Sequence, residues 1–247
     1  MAKYVIVVEF FGKNYAGWQC QNNAVSVQGV LEEKLSLILQ QKMKIYASGR
    51  TDKGVHSYGQ VAHFTYNGTI PPMKIALAVN TVLPTDIRVV DAYEVAEDFH
   101  AQYSAKKKTY IYKFYVSRIL SPIREDTYGQ IPYSEDMLNY EKMQNACKEL
   151  VGTHDFVGFS SVGGSIKNTI RTIYDAHLEK NGDEIFFYIT GNGFLYNMVR
   201  IIAGTLAFIG VGTLNENAIE QVLITKDRKK AGKTFPAKGL YLKSVKY

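Results

Sequence analysis

Cysteine is almost missing from this chain: 247 residues contain two, Cys20 and Cys147. Two thiols make neither a disulfide framework nor a zinc site, and such usage fits a reducing cytoplasm. Long hydrophobic runs are missing as well. The most apolar stretch, residues 194–209, is interrupted by Asn197 and Arg200, whereas a membrane span needs about 20 consecutive apolar residues. The chain opens directly on a strand-like run, so no signal peptide is expected. The five histidines, His56, His63, His100, His154 and His177, show no metal-binding spacing, and no metal is expected. Gly191-Asn192-Gly193 lacks the third glycine of a dinucleotide loop, no complete phosphate-cradling loop occurs, and no Gly-x-Ser-x-Gly elbow is present. Cofactor-dependent and serine-hydrolase chemistry therefore have no footing here, and no cofactor is expected.

What is present describes an ordinary folded chain that leans basic. Hydrophobic residues make up 46% and charged residues 21%, a balance able to bury one large core or two small ones. Twenty-nine Lys and Arg against 23 Asp and Glu leave a net charge of +6, which favours a polyanionic partner. Eighteen tyrosines add ring faces of the kind on which bases stack.

Periodicity sets the order of elements. Residues 4–10, rich in Val and Ile, read as a strand buried on both faces. A glycine-punctuated aromatic loop follows at 11–19. Ser26 caps a helix carrying Val27, Val30, Leu31, Leu35, Ile38 and Leu39 at helical spacing. Strands are expected at 43–48 and 60–66, a helix from Pro71-Pro72 to about residue 82, and a strand over 87–95. Residues 107–115 alternate strictly, placing Lys108, Tyr110, Tyr112 and Phe114 on one face. Further on, Ser134 caps a helix, and Thr153 to Phe156 reads as a loop. Asn181-Gly182 centres a type I′ hairpin between 171–179 and 184–190. Helices at 193–209 and 216–223 and a last strand at 239–245 complete the chain. The mixture is α+β, in two halves, 1–104 and 105–247.

One stretch stands out: Ala47-Ser48-Gly49-Arg50-Thr51-Asp52-Lys53-Gly54-Val55-His56-Ser57. Its glycines mark a tight loop open to close approach. Arg50 and Asp52 are two apart and share a face wherever the backbone is extended. A guanidinium beside a carboxylate keeps it ionised, able to serve as base or nucleophile. Taken alone, an aspartate in a glycine-flanked loop is most often a turn former. The whole string, with Gly59-Gln60-Val61-Ala62-His63-Phe64 after it, resembles the signature of the tRNA pseudouridine synthase A family. Phe99-His100-Ala101 with Ser104-Ala105 and Lys108-x-Tyr110-x-Tyr112 resembles a second family segment. So do Tyr15-x-Gly17-Trp18-Gln19, Gly191 to Arg200, His154-Asp155-Phe156 and Gly239-Leu240-Tyr241-Leu242. Two positions depart from the pattern: Lys53 stands where a small residue is usual, and Ser57 replaces a small apolar one.

The resemblance implies a pseudouridine synthase fold: two α+β halves, with largely antiparallel sheets, joined around a central basic cleft. It implies a cofactor-free isomerase that converts uridine to pseudouridine at positions 38–40, in the anticodon stem-loop of tRNA. By the same resemblance Asp52 is the catalytic residue, and Tyr110, Arg50, Arg200 and Leu240 contact substrate. The family acts as a homodimer with tRNA across both subunits, in the cytoplasm and without a membrane.

Two other classes compete. A non-catalytic RNA-binding protein accounts for the charge and the tyrosines, but a carboxylate in an RNA groove would repel phosphate. A glycosidic hydrolase would need a second carboxylate roughly 5–10 Å from the first. Asp86 and Asp155 are the candidates for that partner.

Overall fold

The computed structural model describes residues 1–161, 163 and 168–247. Contacts divide the chain into two compact units. The first is Met1–Lys106 together with Tyr241–Tyr247, and the second is Lys107–Leu240.

In the first unit the strand order is β4 (Ile87–Val95), β1 (Ala2–Phe10), β3 (His56–Tyr66), β10 (Leu240–Lys246, all but its first residue). β1 pairs antiparallel with both neighbours, and β10 lies parallel to β3 with Tyr241 opposite His56. The Val/Ile run of β1 follows from burial on both faces. Tyr4, Ile6, Val8 and Phe10 enter the main core, while Val5 joins Val61 and Ala101 on the other side. Helices α1 (Val27–Leu39) and α2 (Pro72–Asn80) cover the main-core face. The side chain of Ser26 accepts from the Gly29 N–H, satisfying a donor that the first helical turn leaves free. Leu31, Leu35 and Leu39 then fall on the buried stripe.

β2 is shorter than its pattern suggests, only Tyr46–Ala47, pairing with β3. Met43 and Ile45 are buried while Lys42, Lys44 and Tyr46 are exposed. That alternation mimics a strand, although no ladder forms before Tyr46. β3 in turn begins at His56, four residues earlier than its apolar run indicates.

In the second unit β5 (Lys107–Val116), β9 (Glu184–Gly191), β8 (Ile170–Asn181) and β7 (Gly152–Asp155) follow one another, all antiparallel. β6 (Gly129–Ile131) lies parallel to β5. Helices α3 (Tyr140–Lys148), α4 (Met198–Gly210) and α5 (Ala218–Thr225) pack on one another, α3 also meeting β8 and α4 meeting β5. Three expectations shift here. Ser134 precedes only a 3₁₀ turn, and α3 is capped by Asn139, whose side chain accepts from the Lys142 N–H. Thr153 to Asp155 forms β7 rather than a loop. The hairpin pairs Asn181 with Glu184, so its central residues are Gly182 and Asp183. Only Gly182 has positive φ, +59°, which fits a type II′ turn with glycine first rather than type I′.

Candidate active site

Asp52 sits on the loop between β2 and β3, half-buried, with Lys53 exposed behind it and Arg50 exposed ahead of it. The loop is fastened at its base by Gln60, which is fully buried. Its amide donates to the Gly49 carbonyl at 2.8 Å, and its carbonyl oxygen accepts from the Ser48 hydroxyl at 2.7 Å. The Ser48 N–H donates to the Val61 carbonyl at 2.8 Å. Asp52 itself closes the tip, its carbonyl accepting from the Val55 N–H at 3.2 Å, with Gly54 at φ +78°.

A second loop, residues 11–18, clasps this one on both sides of Asp52. The Trp18 N–H donates to the Thr51 carbonyl at 3.1 Å. The Gly12 N–H donates to Nδ1 of His56 at 2.9 Å, which fixes that nitrogen as the acceptor and puts the ring proton on Nε2. Close approach explains the glycines. A Cβ on Gly12 would lie 1.9 Å from the Val55 carbonyl oxygen, and one on Gly17 would lie 2.5 Å from that of Thr51. Gly17 also has φ +107°, where side chains are strained. His56 is buried between Phe11 (centroids 4.4 Å) and Tyr241 (4.6 Å), and Tyr241 stacks in turn on Tyr58 at 5.1 Å. Tyr15 and Trp18 are buried in the core below. Between the two clasps, the buried Thr51 hydroxyl has no partner among the described residues, which is uncommon enough to need a reason.

The other residues expected at the site lie in the second unit. Tyr110 is on β5, opposite Ile189 and half-buried, and meets Phe194 edge-on at 5.0 Å. Arg200 stands in the first turn of α4, after Asn197 enters the left-handed region at φ +60°. Its Nη1 donates to Oδ1 of Asn197 and its Nε to the Phe235 carbonyl, both at 2.8 Å. The Phe235 N–H returns a bond to the Arg200 carbonyl at 3.1 Å. Those bonds fix the guanidinium and tie α4 to the segment leading into β10. Leu240 opens that strand and is buried. Before it, Gly239 lies against the ring of buried Tyr112, whose hydroxyl donates to the Pro236 carbonyl at 2.7 Å. Each unit thus presents its own set: Arg50, Thr51 and Asp52 in the first, Tyr110, Arg200 and Leu240 in the second.

A family model described as tRNA pseudouridine synthase matches residues 6–104 and 146–247, taking in the Asp52 loop, its clasp and the Arg200 helix. The chain belongs to that family. Among its relatives, tRNA pseudouridine synthase A of Thermoanaerobacter sp. (strain X514) is 46% identical over 247 residues, covering all of both chains. Those of Caldicellulosiruptor saccharolyticus and Lacticaseibacillus casei (strain BL23) are 44% and 42% identical, again over the whole of each. The carboxylates that a hydrolase reading requires have other duties in this synthase chain. Asp86 accepts from the Tyr15 hydroxyl at 2.5 Å and from the Asn14 amide at 3.1 Å. Asp155 pairs with Lys226 at 2.8 Å and accepts from the Thr169 hydroxyl, and these bonds hold its carboxyl below the usual carboxylate range. Among the described residues no group of three or more His, Cys, Asp and Glu could hold a metal ion. No described helix is long and apolar enough to cross a membrane.

Proposed function

We propose that this chain isomerises uridine to pseudouridine at positions 38–40 in the anticodon stem-loop of tRNA, with Asp52 starting the reaction. The observation that carries this reading is Asp52 itself, held at the tip of a loop that is clasped on both flanks, in a chain of this family. In the reaction the bond from uracil N1 to the ribose C1′ breaks and the base turns. C5 then joins C1′, C5 gives up its proton and N1 gains one. Electrons and atoms balance without an oxidant or a transferred group, so the chemistry asks only for a carboxylate, a means of holding the base and a means of holding the phosphates.

The remaining roles follow the same reading. Arg200, braced by Asn197 and Phe235, orients the carboxylate. Tyr110 stacks on the extruded uracil, and Leu240 supplies an apolar wall. Arg50, exposed ahead of the loop, enters the space that the base vacates. Extruding a stacked base costs about a few kcal/mol, which phosphate contacts from Lys and Arg offset, so affinity falls as salt rises. The working form in this reading is a cytoplasmic homodimer with tRNA lying across both subunits.

The test is a tRNA transcript tritiated at uracil C5, incubated with the protein and with Asp52→Asn. Release of tritium by the wild type and its loss in the variant, with tRNA binding retained, is the expected outcome. No release from any tRNA despite tight binding would leave an RNA-binding protein in its place.

A further inference from the structure

The first unit carries an exposed ring cluster that the reaction does not use. Tyr103 is 78% exposed and stacks on His100 at 4.3 Å, with 29° between planes. His100 meets buried His63 at 4.7 Å, and Tyr46, 53% exposed, stacks on His63 at 5.3 Å. Tyr46 and His100 themselves lie 6.2 Å apart.

Backbone bonds fix the rings. His100 Nδ1 accepts from the N–H groups of Gln102 and Tyr103 at 3.2 and 3.4 Å. His63 Nδ1 accepts from the Ala101 N–H at 3.2 Å. The Ser104 hydroxyl accepts from the His100 N–H, and the Ser104 N–H donates back to the His100 carbonyl. Burial, with His100 and Lys3 nearby, pushes the His63 imidazole down to about 4, so it stays a neutral, stackable ring at neutral pH.

Charge around the cluster is of one sign on two sides. Residues 40–50 hold Lys42, Lys44 and Arg50 and no acid, and residues 99–106 hold Lys106 and no acid. Lys42 and Lys44 are exposed in the same alternation as Tyr46, which places ammonium groups and ring on one outward face. Glu97 and Asp98 bound the cluster upstream, where Lys3 Nζ caps the Glu97 and Phe99 carbonyls. Exposed rings beside a row of lysines match the chemistry of an unpaired nucleotide, whose base stacks while its flanking phosphates meet the cations. An apolar partner would leave Lys42 and Lys44 without counter-charge. Tyr46 also lies on the strand that runs straight into the Asp52 loop, six residues away, at most about 20 Å along the chain.

We propose that Tyr46, His100 and Tyr103 form a stacking platform for an unpaired base of the RNA substrate, with Lys42 and Lys44 holding its flanking phosphates. This rests on the tRNA reading above and adds a contact outside the catalytic loop. The test compares wild type, Tyr103→Ala, Tyr103→Phe, Tyr46→Ala and Lys42→Gln/Lys44→Gln, using the unmodified tRNA transcript for filter binding and its tritiated form for turnover. Tyr103→Ala and Tyr46→Ala are expected to raise the tRNA Kd about tenfold, the lower-middle range for losing one stacked base, and to lower kcat/KM through KM. Tyr103→Phe is expected to bind like the wild type. The double lysine variant is expected to flatten the dependence of log Kd on log salt by about two. Unchanged Kd in both alanine variants, or an equal loss in Tyr103→Phe, would overturn the platform. Because the wild type still releases tritium in that case, the failure is distinct from that of the synthase reading, which appears only as no release by the wild type.

Discussion

At the level of single residues, the proposed reaction turns on where Asp52 is held, and the clasp on both its flanks comes from outside its own loop. Part of this is legible in the sequence. Glycines around Arg50 and Asp52 announce a tight loop with a carboxylate at its tip, because glycine and turn chemistry are local. The clasp is not legible, since Gly12 meets His56 across 44 positions and no local rule ties an aromatic loop to a histidine that far on. Nor does the sequence show that the Thr51 hydroxyl is buried without a partner among the described residues. The clasp makes a prediction with an optical reading, because Trp18 is the single tryptophan, is buried, and sits in the clasping loop. Replacing His56 by Ala removes both the acceptor for Gly12 and the ring between Phe11 and Tyr241. Trp18 emission should shift to the red and become open to acrylamide quenching, while kcat falls about a hundredfold with KM little changed, as expected when a reacting group is displaced by about 1 Å. His56→Asn keeps an acceptor near the position of Nδ1 and should recover most of both signals. An unchanged Trp18 spectrum in His56→Ala would show that the loop holds itself.

Among the elements, legibility follows how local the determining interaction is. β1 and α1 are plain in the sequence because each buries a full face or stripe of a well-filled core. The hairpin of β8 and β9 is visible too, yet its turn sits one residue further on than Asn181-Gly182 suggests. Asn-Gly and Gly-Asp are both good turn pairs, and cross-strand packing chooses between registers. β2 fails as a full strand because buried Met43 and Ile45 give alternation without a partner edge. For α4 the tertiary contact outweighs propensity, and this can be measured. Gly204 is interior to the helix, where Ala would ordinarily be favoured by about 1 kcal/mol. A Cβ there would stand 1.8 Å from the Lys233 carbonyl oxygen, beside the bond from the Gly232 N–H to the Thr205 hydroxyl. The segment 232–235 must move, and with it the two bonds joining Arg200 to Phe235. Overpacking strain of about 1–3 kcal/mol opposes the ~1 kcal/mol that Ala gains in a helix, so Gly204→Ala should lower the thermal midpoint and reduce turnover along with it. A raised midpoint in thermal denaturation followed by circular dichroism would mean that helix propensity wins and the contact yields.

For the molecule as a whole, the feature hardest to read from sequence is where the last strand goes. Residues 239–245 announce a strand by composition, but its partner is set by parallel pairing with β3 across 185 positions, as in the bond between the Ser57 hydroxyl and the Leu242 carbonyl at 3.3 Å. No local pattern encodes so distant a choice. The return has consequences for the first unit. Tyr241 completes the ring column over His56, the Lys246 carbonyl accepts from the Lys106 N–H at 2.8 Å, and the Tyr247 hydroxyl donates to the Ala101 carbonyl at 2.8 Å. Val245 and Tyr247 also pack on the small core of Val5, Val61 and Ala101. A chain ending at Leu240 would strip a neighbour from β3 and leave its backbone groups to water, and it would open the His56 column on one side. Trp18 lies in the unit that loses these contacts, so its emission should report an unfolding midpoint several degrees lower than in the full chain. Tyr241→Leu should reproduce part of that shift by removing the ring while keeping the strand. Equal midpoints for the truncated and full chains by Trp18 emission would mean that β3 and the Asp52 loop stand without the returning strand, and the clasp from residues 11–18 would then be the loop's main support.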